Sequence, residues 1–526
     1  MLSLPVHNEV RKIIKIKRKH SMQTPDTGHQ QIDRTNDTRF FGHPKGLSTL
    51  AFTEMWERMS YYGMRGLLVV FMALAVQDGG FGLTEQKANA VYGLYTGAVY
   101  FTGLLGGWMA DRLIGGQKAV WYGGIIIMLG HISLAIPGTN TFFFGLILVV
   151  LGTGLLKPNI GAMVGQLYSD TDQRRDSGYT LYYLGINIGS AIGGFVCGLM
   201  QVEYGYHAAF GAAAVGMAFG LIQYKLTAGN ITAVFDKPTV IMSSNAVKFS
   251  WSVIAGIIMV LAIVTVLAMM GSLVINPIAI TGYIATIVFS IFILYFAGIF
   301  FKGGLSSSEK RNVGALFLIC IASICFWAGF EQAGSSFNFF AENNTDRMLG
   351  SFEIPTQWFQ SLNPIFIIVL SPFFAALWIN LSKRMIRPTY SVKCAIGLII
   401  MSTGFFAMFF AAQYAASSMK VAPTWLVATY FLHTVGELCL SPVALSAVSK
   451  LSPKRFAGQL MGVFILTYSI GSLAAGLLAG LVNAGDAVVE PSVYMKVALF
   501  GTAAGIILWL LSLKTGKWEK VEGKEI

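Results

Sequence analysis

From about residue 46 to 514 the chain alternates between long apolar runs and short polar breaks. The runs recur at roughly 20 residues or more, the length a helix needs to cross a hydrocarbon core. This pattern predicts spans at 48–78, 86–112, 118–137, 141–168, 178–200, 207–227, 249–271, 277–301, 312–341, 357–381, 391–414, 423–449, 456–483 and 493–513. The expected molecule is therefore an all-α membrane protein with 14 transmembrane helices.

Composition agrees with the pattern. The chain is 55% hydrophobic and 12% charged, against about 25% charged in a soluble domain. Its net charge of +12 does not point to nucleic acid, because no basic patch interleaved with aromatics lies outside the tails. The positive residues sit in alternate loops instead. Arg112 and Lys118, Arg174 and Arg175, Lys237 and Lys248, Lys302 to Arg311, Lys383 to Lys393, and Lys450 to Arg455 mark one set. The other set holds little beyond Lys87, Arg347, Lys420 and Lys496. By the positive-inside rule the first set and both termini are cytoplasmic, provided that 249–271 and 277–301 form a true hairpin. Residues 1–45 read as a solvated, disordered tail and not as a signal peptide. Cys197, Cys320, Cys325, Cys394 and Cys439 lie in apolar runs without a CxxC pair, and behave as small hydrophobes.

The chain also repeats itself weakly. "GLLKPNIGAMVGQLYSD" and "ELCLSPVALSAVSKLSP" align at Pro158 and Pro442. In each case a basic loop and a Gly/Ser-rich span with "IGS" follow, at 188–190 and 470–472. Such parallel repeats are a carrier arrangement, with the substrate site at the interface near mid-membrane. "GGWMADRLIGGQK" at 106–118 resembles the charged loop of the major facilitator superfamily. Two six-helix bundles are expected, 46–228 and 310–514. A linker with an inserted hairpin separates them at 229–309, and a short cytoplasmic tail occupies 515–526.

The first span poses a problem for lipid. On a helical projection Glu54, Glu57, Arg58, Tyr61, Tyr62 and Arg65 fall within an arc of about 140°. One charge at the centre of a lipid-facing helix costs roughly 2.5–3.5 kcal/mol. The charged face must then meet a polar cavity or pair with itself. Lys157, Glu331 and Glu437 add charge to three further spans, and Asn187 and Asn363 add neutral polar groups. The simplest arrangement lines one central chamber with them.

At these residues a family resemblance emerges. "EMWERMSYYGMR" is similar to the E-x-x-E-R-F-x-Y-Y-G motif of proton-dependent oligopeptide transporters, with Met59 in place of the usual Phe. "TLYYLGINIGS" resembles F-Y-x-x-I-N-x-G-S, with Tyr182 in place of Phe. "GTGLLKPNIG", "FWAGFEQAGSS" and "GELCLSPVALS" resemble the lysine and glutamate segments of the fourth, seventh and tenth helices. The inserted hairpin fits bacterial members, which implies an inner-membrane location. A second-helix histidine of animal members is absent here, so proton coupling would rest on carboxylates.

The resemblance implies roles. Arg58, Arg65 and Lys157 would hold a peptide carboxylate, a sensible ligand for guanidinium. Glu437 would take the amino group, while Asn187 and Asn363 hold the peptide backbone. Tyr62, Tyr100 and Trp327 would line the pocket. Glu331 and the pair Glu54/Glu57 would carry protons, with Arg58 and Lys157 in the same coupling network. No cofactor is expected beyond the coupling proton, and no metal. The substrates would be di- and tripeptides and peptide-like drugs, the protein a monomer in the bilayer. Protonation would break a bridge such as Glu331–Arg65 or Glu54/Glu57–Lys157 and so drive alternating access. Two rivals remain open. One is a major facilitator carrier of another solute, nitrate or a drug. The other is an intramembrane enzyme, against which the HExxH, GxSxG and phosphate-loop patterns are all absent.

Overall fold

Each apolar run folds as a helix because backbone polar groups in hydrocarbon must be satisfied within their own segment. The computed structural model describes residues 37–169, 172–231, 237–417, 420–482 and 490–519. Of the tail expected over residues 1–45, residues 1–36 lie outside these, as do residues 520–526, while 37–44 are ordered by Arg174, which donates to the Asp37 and Gly42 carbonyls at 3.1 Å, and the first helix begins at Lys45. The helices are α1 Lys45–Arg65, α2 Leu68–Ala73, α3 Glu85–Met109, α4 Gly116–Ala135, α5 Thr139–Gln166, α6 Arg175–Tyr204 and α7 Tyr206–Thr227. There follow α8 Ser244–Met269, α9 Pro277–Lys302, α10 Ser307–Phe330, α11 Ser336–Asn344 and α12 Leu362–Lys383. The last four are α13 Tyr390–Ser417, α14 Thr424–Leu451, α15 Ala457–Val482 and α16 Pro491–Thr515. A hairpin of two-residue strands, Met348–Leu349 and Phe352–Glu353, is the one sheet among the described residues.

Polar punctuation sets several helix starts. Thr84, Ser243 and Asn276 accept N-terminal backbone N–H groups through their side chains, and Pro277 follows Asn276 at the first turn. Ser306 and Glu309 form a reciprocal capping box at the start of α10.

Two expected spans are broken. The span read as 48–78 ends its first helix at Arg65 and resumes as α2 at Leu68. The span read as 312–341 breaks over Glu331–Gly334, a short 3-10 turn between α10 and α11. Irregular backbone at membrane depth persists only where it is buried in protein or lines a cavity. Both breaks fall at charged residues, and those residues meet.

Twelve of the described helical stretches are long and apolar enough to cross a membrane on their own. The two long helices outside that set are α1 and α3, which carry charged and polar residues toward the interior. They are held by packing: α1 lies against α6 and α7, and α3 against α5 and α15. On one side α1 to α7 pack together, and on the other α10 to α16. The halves meet where α3 crosses α15 and where α6 meets α12 with the turn before it. The inserted hairpin lies outside both. Its α9 rests on the α3–α15 seam, with Thr281 donating to the Ala90 carbonyl at 3.1 Å and Tyr295 to Gln459 at 2.9 Å. Nearly every side chain of α8 faces outward.

The α3–α15 crossing is tight because glycine faces glycine. A Cβ on Gly93 would stand 2.8 Å from the Gly476 Cα and 3.0 Å from the Ser472 carbonyl oxygen. Gly93→Leu is therefore expected to destabilise the protein by about 1–3 kcal/mol through overpacking. Thermal unfolding in detergent measures it, and a melting point equal to wild type would show that the seam can open freely.

Candidate functional site

α1 turns its charged face inward. Glu54 and Glu57 are fully buried, and Arg58 and Arg65 nearly so. The opposite face packs on glycines that admit its backbone closely. A Cβ on Gly189 or Gly193 would collide with the carbonyls of Met55 or Met59. One on Gly220 would press on Trp56. The helix is thus fixed in rotation by packing, which leaves its charges no route to lipid.

Two charged clusters result. In the first, Lys157 of α5 pairs with Glu54, and Arg58 clasps Glu57 through two bonds. The Nη2–Oε1 bond of that clasp measures 2.5 Å, and Arg58 Nε lies 3.5 Å from Glu54. Of the two carboxylates expected for Lys157, Glu54 takes it and Glu57 takes Arg58. In the second cluster, Arg65 Nη2 donates to Glu331 at 2.7 Å, while Nε donates to the Tyr92 hydroxyl. The guanidinium groups also lie over tyrosine rings, Arg58 at 4.7 Å from the Tyr61 centroid and Arg65 at 5.4 Å from that of Tyr62.

The other half supplies a carboxylate with no cation partner among the described residues. Glu437 on α14 accepts from Asn363 Nδ2 at 2.9 Å, and the same amide donates to Thr434 at 3.0 Å. Asn187 donates to the Tyr183 carbonyl one turn back at 2.9 Å. Trp327 and Tyr100 both pack at a tilt against Tyr468, at 4.5 and 5.3 Å between centroids.

These groups surround one cavity of about 490 Å³ between the halves. Arg58, Tyr62, Arg65, Tyr100, Lys157, Asn187, Trp327, Glu331, Asn363 and Glu437 all line it. Glu54 and Glu57 do not reach its surface and sit behind Lys157 and Arg58. The remaining wall is largely apolar and aromatic, with Ile186, Phe330, Ile367, Met461, Phe464 and Ile465. A volume of this order suits a small ligand fixed by a few polar contacts.

Bonds between the halves close the cavity at the end near loops 74–84 and 345–361. Asn338 donates to the Gly66 carbonyl at 3.0 Å and is itself held by Gln360 at 3.0 Å. Trp358 donates to Phe195 O, Ser361 to Ala191 O and Ser469 to Gly97 O, at 3.3, 3.1 and 2.8 Å. In all four bonds the second half gives the side-chain donor and the first half the backbone acceptor.

Sequence reasoning missed Tyr92, Tyr468, Asn338 and Gln360. Tyr468 sits in the Gly/Ser-rich repeat of the second half, a signal available from the chain. Asn338, with Gln360 behind it, meets the first half only because α1 breaks at Gly66, which no local pattern announces.

A multi-span helical protein with one charged chamber between two bundled halves belongs to the class of membrane carriers. The profile described as the POT family matches residues 117–497. Peptide transporter YePEPT of Yersinia enterocolitica is 40% identical over 487 residues, covering 90% of this chain and 95% of that protein. The di-/tripeptide transporter of Lactococcus lactis subsp. cremoris is 35% identical over 497 residues, covering 92% and 97%. A crystal structure of a mutant peptide transporter POT in complex with alafosfalin superposes with a TM-score of 0.83 at 36% identity, covering 92% of this chain and 97% of that one. The chain belongs to the POT family, whose members are transporters and not enzymes.

Proposed function

We propose that this protein imports di- and tripeptides by proton-coupled alternating access. The observation that carries the reading is the chamber itself, which offers Arg58, Arg65 and Lys157 from one half and an uncompensated Glu437 from the other. A zwitterion of peptide length matches that polarity. Its carboxylate lies with the cations and its ammonium with Glu437, while Asn187 and Asn363 serve the peptide backbone. Side chains fall on the apolar and aromatic wall, which accepts many shapes and admits peptide-like drugs. The names of the Yersinia and Lactococcus relatives agree with this substrate class.

Protons act at Glu331 and at Glu54/Glu57. Each of these carboxylates is buried against a cation. A proton cancels the attraction and releases Arg65, Lys157 or Arg58 toward the substrate carboxylate. No other cofactor takes part. The moving units are 46–228 and 310–514, and the protein works as a monomer. The basic loops and both termini face the cytoplasm, so the sealed end is the outer one and this conformation is the inward-facing one. The protein sits in the cell inner membrane.

The test is radiolabelled dialanine uptake into proteoliposomes with and without an inward proton gradient. Gradient-dependent uptake, competed by di- and tripeptides and not by free amino acids, is expected. Absence of such uptake in folded protein, or competition by nitrate instead, overturns the peptide reading.

A further inference from the structure

One buried oxygen in the first cluster is left over. Glu54 is wholly inaccessible; Lys157 engages its Oε1, with Arg58 Nε also 3.5 Å from that atom. Its Oε2 is buried too, and has no hydrogen-bond partner among the described residues. A carboxylate withdrawn from water with an unmet oxygen is disfavoured unless a donor comes to it.

The hydroxyl that faces this carboxylate is that of Tyr182 on α6, which interacts with Glu54 from across the α1–α6 contact. The Tyr182 ring is 7% exposed, anchored in an apolar cluster with Ala51, Ile160 and Met163. Its oxygen lies beside Gly161 of α5, one turn beyond Lys157, where a Cβ would stand 3.9 Å away. A phenylalanine would fill the same apolar niche and offer Glu54 nothing. The charged and titratable groups around Glu54 are then Lys157 from α5, Arg58 and Glu57 from α1, and Tyr182 from α6.

We infer that Tyr182 is a positioning residue of the coupling cluster, whose hydroxyl donates to the second oxygen of ionised Glu54 and so sets how acid the medium must become before Glu54 takes its proton and lets Lys157 go to the substrate. This deepens the proposed function and rests on proton-coupled symport. The sign follows from the donor's chemistry. A phenol O–H serves the ionised carboxylate better than the neutral acid, so it holds the proton off. Without it, Glu54 takes a proton at a lower proton concentration.

Tyr182→Phe removes one oxygen and keeps the ring, so the fold survives. Dialanine uptake is measured against external pH at fixed membrane potential, beside counterflow at equal pH on both sides. The driven-uptake midpoint is expected to move to higher pH by about one unit, the effect of one hydrogen bond to a charged group. Counterflow should stay within about twofold of wild type, as the peptide does not touch Tyr182. A merely structural role would lower both rates and leave the midpoint in place, which would overturn the inference, as would a shift to lower pH. Wild-type uptake indifferent to the gradient would overturn the symport reading and this inference with it. Gradient-driven wild-type uptake with an unmoved Tyr182→Phe profile would overturn this inference alone.

Discussion

Lys157→Ala is expected to abolish gradient-driven accumulation of dialanine, by at least about 100-fold. Lys157 bridges α5 to α1 through Glu54, residues 103 apart in sequence. Without it, Glu54 remains fully buried, and the nearest cation is Arg58 at 3.5 Å. That guanidinium already holds Glu57. It is then shared between two carboxylates and no longer available to a third, that of the substrate. Removing one member of a buried pair strands the other, an effect of about 3–5 kcal/mol in favourable cases. A loss of 100-fold corresponds to about 2.7 kcal/mol, just below that range, so the expected loss is at least this large. The measurement is uptake under an imposed gradient, with detergent thermal stability to confirm folding. Unchanged accumulation would remove Lys157 from the mechanism.

Glu331→Gln is expected to separate exchange from drive. The amide keeps an oxygen for Arg65 but loses the charge, so the Arg65 contact at 2.7 Å persists as a weaker bond. The variant imitates the protonated state permanently. Counterflow of labelled for unlabelled dialanine should continue within about threefold of wild type. Uphill uptake under the gradient should fall by about 10- to 100-fold, since no proton can be released from that position. If uphill uptake survives, Glu331 is not a coupling site and the burden shifts to Glu54 and Glu57.

Much of this arrangement is legible in the chain before folding. The number of long helices and their limits follow from apolar run length, because hydrocarbon leaves the backbone no other option. The inward face of α1 follows from four charges that lipid cannot accept. The same cost argument gathers Lys157, Glu331 and Glu437 into one chamber, where the coordinates place them. Other features are not legible. The breaks at Gly66 and at Glu331–Gly334 depend on partners from the other half, Asn338 and Arg65, that sequence spacing does not identify. The choice of Glu54 by Lys157 and of Glu57 by Arg58 is a matter of a few ångströms of helix packing. The burial of Glu54 and Glu57 behind the chamber wall is the least legible feature, because inward-facing on a helix projection does not separate the wall from the layer behind it.

The bonds that close the cavity at the end near loops 74–84 and 345–361 have a consequence for leakage. Four of them join neutral donors to main-chain oxygens, groups indifferent to acidity. Among the described residues, the one buried ion pair that joins the two halves is Arg65–Glu331. Acidification at that end would act on carboxylates, Glu331 and the Glu85 that accepts from Asn343 at 3.2 Å, and leave the four neutral bonds in place. On the proposed mechanism an empty carrier would then stay shut against a flood of acid, and the cell would be spared a short circuit whenever peptides are scarce.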